Sequence, residues 1–304
     1  MSQNVINTIT ERYDRLSKGH KAIARFVLEN YDKAAYMNVE QLSGVTGVSE
    51  ATVVRFSAEI GYPKYQQFQR AVWEYAKSKL TSVQRMQLSY GRLDTENILS
   101  GVLNSDIEKI RTTLEAIDQT EFESIVDCIC RAERIYIVGL RSASYLAGLL
   151  GFYLHLIFEN VTVVSSVSAS EIFEQLYRIN EKDVVIGISF PRYSKRTINA
   201  LRYAKAKGVT VIGITDGALS PIKVNADYAL LARSDMESFV DSLVAPLSVI
   251  NALIVALSAR NKDTLCTNFE LLEHIWHEYD VYDNLDETEE TTSLSRSETK
   301  SETE

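Results

Sequence analysis

The chain has 304 residues, of which 45% are hydrophobic and 24% charged, and it has three cysteines. This length suffices for two domains with hydrophobic cores, and no apolar run reaches the roughly 18 residues that a membrane-spanning helix requires. The N-terminus lacks the basic and apolar segments of a signal peptide, and the odd cysteine count favours reduced thiols. We therefore expect a cytoplasmic protein that does not bind a membrane.

The formal net charge of −9 argues at first against a nucleic acid partner. The charge is unevenly distributed, however. The segment that ends at Arg85 has twelve basic and eight acidic residues, whereas the segment from Asp280 onward has nine acidic and two basic residues. The acidity is therefore concentrated outside the N-terminal part. The positive excess in that part is compatible with phosphate contacts.

The first predicted elements are helices separated by a tight turn. Residues 19–30 form a predicted helix, and Asn38 is the expected N-cap of the next one. Gly47 then interrupts the pattern, and Ser49 is the expected N-cap of a further helix. Apolar residues recur at helical spacing on both sides of the glycine, at Val39, Leu42, Val45, Val53, Phe56 and Ile60. Two short helices joined by a glycine turn predict a helix-turn-helix.

The second of these helices has a polar face that could enter the major groove of DNA. Thr52 and Arg55 are the residues expected at base edges, and the contacts to phosphate are expected just beyond the helix. The full set predicted to contact DNA is Ser49, Ala51, Thr52, Arg55, Lys64 and Tyr65. Because any two amphipathic helices joined by a glycine give a similar pattern, a purely structural helix pair is the alternative.

The pattern changes after a helix over residues 64–79. Residues 80–96 have weak periodicity and are predicted to be a linker. Two helices, at 97–118 and 120–132, precede an alternation of strands and helices, which predicts a parallel sheet with helices on both faces. The predicted strands are 134–138, 161–164, 183–188, 209–214 and 227–231, and the helices are 142–158, 170–177, 195–207 and 238–260. A last helix (264–279, within 263–282) precedes a tail, 283–304, which is predicted to be disordered.

Two loops that follow predicted strands are candidates for a ligand site. In parallel sheets, ligands bind at the carboxyl ends of the strands, near helix N-termini, where backbone N–H groups favour anions. Each loop adds an arginine that can bind an anion through two hydrogen bonds. The candidate residues are Gly139, Arg141, Ser142 and Ser144 in the first loop, and Ser189, Arg192, Tyr193, Ser194 and Thr197 in the second. The alternative is that these hydroxyls only cap their helices.

The chain resembles the RpiR-type transcriptional regulators, which join an N-terminal helix-turn-helix to a C-terminal SIS (sugar isomerase) domain. The resemblance covers residues 5–262 and is most specific in Ser49-Glu-Ala-Thr-Val-Val-Arg-Phe-Ser-Ala-Glu-Ile-Gly-Tyr62. It implies an all-α domain over 1–79, followed by an α/β domain over 97–262 with a five-stranded parallel sheet and a phosphosugar pocket. It also implies a homodimer or homotetramer that binds an operator in double-stranded DNA.

The loops differ from the family's usual motifs. The first loop of the family commonly reads Gly-x-Gly-x-Ser, but here Arg141 stands at the second glycine and Ala143 at the serine. The second loop commonly reads Ser-x-Ser-Gly-x-Thr, but here Pro191 stands at the second serine, Arg192 at the glycine and Ser194 at the threonine. Since two arginines replace glycines, we expect an anionic effector, a phosphorylated sugar or a sugar acid, that is held largely by charge.

Two other functions are alternatives. An SIS-fold isomerase would need a carboxylate base, for which Glu171, Glu174, Glu237 and Asp241 are candidates, and often a histidine. His155 is expected in the core, so this alternative has little support. A regulator whose SIS domain serves only for oligomerisation is the second alternative. We expect no catalytic residues, cofactor or metal, and we interpret the chain as a ligand-responsive regulator, most simply a repressor.

Overall fold

The computed structural model describes residues 5–79, 96–164, 168–236 and 240–282, together with residues 81, 83, 84 and 86. Helices make up the first of these ranges. They are α1 (Val5–Arg12), α2 (Lys18–Glu29), α3 (Tyr31–Ala34), α4 (Val39–Thr46), α5 (Glu50–Glu59) and α6 (Tyr65–Lys79). They share one hydrophobic core, to which Ile23, Leu42, Phe56 and Phe68 contribute. This arrangement confirms the predicted all-α N-terminal domain.

The remaining elements form an α/β domain. Two helices lead into it, α7 (Ile98–Ala116) and α8 (Gln119–Cys130). There follow β1 (Ile135–Gly139), α9 (Ala143–Ile157), β2 (Val161–Val164), α10 (Ala169–Leu176), β3 (Val184–Ile188), α11 (Lys195–Ala206), β4 (Thr210–Thr215), α12 (Pro221–Val224) and β5 (Tyr228–Leu231). Two helices complete the domain, α13 (Val244–Arg260) and α14 (Lys262–Glu278).

The strands form a five-stranded sheet in the order β2-β1-β3-β4-β5, and all neighbouring strands are parallel. Helices α8, α9 and α13 pack on one face of the sheet, and α10, α11 and α12 pack on the other. Residues of β1 and β3 are therefore buried from both sides, in agreement with their continuous apolar sequence. The predicted fold class is confirmed.

The predicted element boundaries agree with the observed ones to within a few residues, with one larger difference. Helix α13 begins at Val244 rather than at 238, and Asp241, three residues before it, pairs with Met236 in an antiparallel bridge. The short helices α1, α3 and α12 were not predicted. Most of the predicted linker, the predicted tail over 283–304, and Glu237 lie outside the described residues.

Val45 recurs at helical spacing with Val39 and Leu42, yet its side chain is exposed. One prediction of burial is wrong. His155 was expected in the core, but it is exposed on α9 because only one side of this apolar helix packs on the sheet. Across the described ranges, no single helix combines the length and apolar composition needed to cross a membrane, and the apolar pair α13 and α14 is bent by 95°.

Candidate functional site

The turn between α4 and α5 is built by three local features. Asn38 and Gln41 form a reciprocal capping box that begins α4. Gly47 ends α4 with φ of +67°, a left-handed conformation that residues with a Cβ rarely adopt. The Ser49 side chain accepts a hydrogen bond from the Thr52 backbone N–H and so caps α5. The expected helix-turn-helix is therefore present, with the expected glycine and cap.

One side of α5 is anchored in the N-terminal core. Val53 and Phe56 are fully buried, and the Phe56 ring meets the Phe68 ring edge to face, with 5.5 Å between ring centroids. At the C-terminal end of α5, the Glu59 carboxylate forms a hydrogen bond with His20 Nδ1 of α2. Helical spacing predicts Glu59 on the outward polar face, but this contact directs it to the neighbouring helix. The outward face is therefore shorter than the sequence suggested.

The N-terminal half of α5 remains open to solvent. Ser49, Ala51 and Arg55 are exposed, and Thr52 is half-buried. Arg55 lies along this face: its Nε donates to the Ala51 carbonyl at 3.2 Å, and its Nη2 donates to Thr52 Oγ1 at 3.4 Å. A base edge could replace the Ala51 carbonyl and the Thr52 hydroxyl as the acceptor of these hydrogen bonds. A guanidinium and a hydroxyl therefore stand together on a helix surface that no other described element covers.

The two residues expected to contact phosphate beyond α5 differ in exposure. Lys64 is exposed just before α6. Tyr65 is buried, and its hydroxyl donates a hydrogen bond of 2.7 Å to the Met37 carbonyl. Burial raises the pKa of Tyr65 to about 12. The expectation that the Tyr65 side chain contacts DNA is therefore corrected, because this side chain holds α6 against the end of α3.

The second candidate site lies at the carboxyl edge of the sheet. Gly139, the last residue of β1, pairs with Ile188, the last residue of β3. The loops that follow these strands therefore begin side by side, about 5 Å apart. Their helices, α9 and α11, cross to opposite faces of the sheet. In the strand order 2-1-3-4-5, this is the switch point at which parallel sheets bind ligands.

The first loop contains a residue in a strained conformation. Arg141 has φ of +60°, although it is not a glycine, and it stands where the family's motif has one. Its carbonyl accepts from the Ser144 hydroxyl at 2.6 Å and from the Ser144 N–H at 3.0 Å. The Arg141 and Ser142 side chains are exposed, and Ser142 makes no capping hydrogen bond. The loop is thus a tight turn that presents a guanidinium and a hydroxyl outward.

Gly139 has a packing role in the same loop. A Cβ at this position would lie 2.6 Å from the Ala143 carbonyl oxygen and 2.7 Å from the Ala147 Cβ. The start of α9 can therefore approach the end of β1 only because Gly139 has no side chain. This close approach brings the N-terminus of α9 to the carboxyl edge of the sheet.

The second loop is organised by its hydroxyls. Ser189 Oγ accepts from the Ser194 N–H at 3.1 Å, and Ser194 Oγ accepts from the Thr197 N–H at 3.3 Å. Both hydroxyls thus accept hydrogen bonds from backbone N–H groups at the start of α11. This is the structural role that was the alternative to ligand binding. Thr197 is fully buried, and its hydroxyl has no hydrogen-bond partner in the described part of the chain. Thr197 therefore does not line an open pocket as expected, whereas Arg192 is exposed at the tip of the loop.

Tyr193 connects this loop to the next strand. Its hydroxyl donates to Asp216 Oδ1 at 2.8 Å, and burial, together with the Asp216 charge, raises the Tyr193 pKa. Thr215, beside Asp216, donates to the Ser189 carbonyl at 2.9 Å. Thr215, Asp216 and Ser220 were not predicted. The available signal was that Thr215 ends β4 and the other two follow it, at a carboxyl end that lies next to that of β3.

The exposed groups of this edge are suited to binding an anion. Two arginines and a free-standing hydroxyl offer donors, while Glu171 and Glu174 lie exposed on α10. Throughout the described ranges, no cluster of three or more His, Cys, Asp or Glu side chains is arranged to hold a metal ion. The chemistry that these residues support is charge-assisted recognition of phosphate or carboxylate.

Comparison with known families agrees with both the N-terminal helix-turn-helix and the C-terminal α/β domain. A helix-turn-helix domain model of the rpiR family matches residues 3–79, and an SIS domain model matches residues 129–256. An HTH-type transcriptional regulator of Haemophilus influenzae is 26% identical over 276 residues, which cover 87% of this chain and 93% of the relative. One of Clostridium perfringens is 25% identical over 225 residues, which cover 72% of this chain and 78% of the relative.

Solved structures agree with the fold. The sugar isomerase domain of an RpiR transcription factor from Sphaerobacter thermophilus is 27% identical, with a TM-score of 0.55, and the match covers 58% of this chain and 97% of that one. NanR of Vibrio vulnificus, solved in complex with ManNAc-6P, is 21% identical, with a TM-score of 0.56. The match covers 90% of this chain and 99% of the NanR chain. The chain belongs to the RpiR family of helix-turn-helix transcriptional regulators, with a C-terminal SIS domain.

Proposed function

We propose that this regulator binds operator DNA through α5 and releases or retains it in response to an anionic carbohydrate metabolite. The observation that carries the proposal is the pairing of Gly139 with Ile188, which sets two arginine-bearing loops side by side at the switch point of the sheet. A phosphorylated sugar or sugar acid has the charge that Arg141 and Arg192 would bind. The proposal assigns binding without turnover to the SIS domain, in a cytoplasmic repressor.

For DNA, we assign the base-edge contacts to Thr52 and Arg55, with Ser49 and Ala51 close to the groove floor or backbone. An arginine that donates two hydrogen bonds to guanine is the most common specific contact in the major groove. Lys64, which is exposed before α6, would contact phosphate and fix the register of the helix.

Assembly into at least a dimer is part of the proposal, because a palindromic operator requires two readers. Exposed apolar residues support it. Helix α7 exposes a row of large side chains, and Leu99 is 76% exposed. The others in the row are Leu103, Ile107 and Leu114. Apolar rows of this size on a monomer surface mark contact sites. Sedimentation of the full chain would distinguish a homodimer, a homotetramer and a monomer.

The effector half of the proposal is tested on the full-length protein. Thermal shift and calorimetry with a panel of sugar phosphates and sugar acids should identify a ligand whose affinity falls in Arg192→Ala. Operator binding without ligand should survive this substitution, because Arg192 is not among the residues proposed to contact DNA. If no member of the panel binds, the SIS domain serves oligomerisation alone. If a member is converted to product, the isomerase alternative is correct.

A further inference from the structure

Helix α6, the last helix of the N-terminal domain, lies against the carboxyl edge of the sheet. Arg233, which follows β5, holds it there. The Arg233 guanidinium lies 5.6 Å from the centroid of the Trp73 ring, and Nη1 is 3.7 Å from Glu74 Oε1. Asp235 Oδ2 lies 2.6 Å from Nη2 of the same guanidinium and fixes its position. The DNA-binding domain and the SIS domain therefore meet at the edge where the effector site is proposed.

A cavity of about 420 Å³ lies at this junction. Part of its lining is α6, with Glu74, Tyr75 and Lys79, and another part is Arg192 and Tyr193 of the loop between β3 and α11, with Lys195 at the start of α11. Its volume falls within the range of about 300–1,000 Å³ that small-ligand sites occupy. Its walls thus come from both domains, and one of them belongs to a loop already assigned to the effector.

The charge of the cavity favours an anion. Three cationic side chains, Lys79, Arg192 and Lys195, face one carboxylate, Glu74. Within the described ranges, neither lysine forms a salt bridge, and the Lys79 ammonium lies 5.9 Å from the centroid of the Tyr75 ring. The Tyr193 hydroxyl adds no negative charge at physiological pH, because burial and Asp216 raise its pKa. An anionic group in this cavity would therefore be attracted from both domains.

We propose that the cavity binds a second anionic group of the effector, most simply a carboxylate, so that one ligand bridges the SIS domain and α6. The inference rests on the proposed function, which places the phosphate at the arginine-bearing loops. Arg192 belongs both to the loop and to the cavity, so the two parts of the site are adjacent and share this residue. Such a ligand contacts both domains, and its binding favours one placement of the DNA-binding domain over others.

The test compares two probes that differ only in the second anion. 6-Phosphogluconate has a phosphate and a carboxylate, and sorbitol 6-phosphate has the phosphate alone on a chain of equal length. We expect the wild-type protein to bind 6-phosphogluconate at least about tenfold more tightly, as one added charge-assisted contact would give. Lys79→Gln should abolish this preference and leave the affinity for sorbitol 6-phosphate unchanged.

Lys207→Gln is the matched control. Lys207 lies over the Tyr203 ring at 5.7 Å, as Lys79 lies over Tyr75, but at the opposite end of α11 from the cavity. Lys207→Gln should still bind 6-phosphogluconate more tightly than sorbitol 6-phosphate. Equal affinity of the wild type for the two probes, or a preference that survives in Lys79→Gln, overturns the inference while the proposed function stands. Absence of binding by either probe and by every other sugar phosphate overturns both.

Discussion

The Tyr193 hydroxyl donates a hydrogen bond of 2.8 Å to the Asp216 carboxylate, and this contact joins the loops that follow β3 and β4. Asp216 is buried, and Thr215 Oγ1 also lies within hydrogen-bond distance of it, at 3.3 Å. The Tyr193 side chain also lines the cavity at the junction with α6. The loop that carries Arg192 is thus held by a hydrogen bond to a buried carboxylate as well as by its own turn.

Tyr193→Phe should lower the free energy of unfolding by about 1–3 kcal/mol, because buried Asp216 loses a donor. Urea denaturation of both proteins measures this difference. Tyr145→Phe is the control, since the Tyr145 side chain is 80% exposed and its loss should change stability little. Equal stability of the two variants would show that Asp216 does not depend on Tyr193.

Arg55→Ala should weaken specific operator binding by about 1–3 kcal/mol if the arginine reads a guanine. Non-specific DNA binding should change much less, because the lost contact is to a base edge. An electrophoretic shift assay with an operator selected from genomic fragments measures both. Arg111→Ala, on the exposed surface of α7, is the control. Unchanged affinity of Arg55→Ala for the operator would rule out this role.

Arg141→Gly should separate stability from ligand binding. Glycine adopts the observed φ of +60° without strain, so the free energy of unfolding should stay the same or rise by about 1 kcal/mol. Effector affinity should fall, because a guanidinium is lost from the switch point. Calorimetry and urea denaturation give the two values. A variant that is less stable but binds the effector normally would mean that Arg141 serves the fold rather than the ligand.

The pH dependence of stability should report on Tyr65. Its pKa is raised from about 10 in the unfolded chain to about 12 by burial, so the folded state holds the phenol proton more tightly. This stabilisation is fully present below about pH 10 and is lost as the pH rises through about 12. The free energy of unfolding of the wild type, relative to Tyr65→Phe, should therefore fall over this interval. Parallel pH profiles for the two proteins would contradict this assignment.

Local sequence features were enough to predict several parts of both sites. Asn38, Gly47 and Ser49 act through backbone contacts within a few residues, so their roles can be inferred without knowledge of the rest of the chain. The buried strands could be predicted for a similar reason, because their apolar runs reflect burial on both faces. The positions of Arg141 and Arg192 at strand ends followed from the same alternation of strands and helices.

Other features depended on contacts between residues distant in sequence. Glu59 and Tyr65 look like outward polar residues on a helical wheel, yet His20 and Met37 bind them. Asp216 became part of the site only because β4 lies beside β3, and the cavity exists because α6 packs against Arg233. Sequence periodicity shows which face of an element is apolar. Which polar groups are left for DNA or an effector depends on the neighbours that folding places against that element, and those came from the tertiary structure.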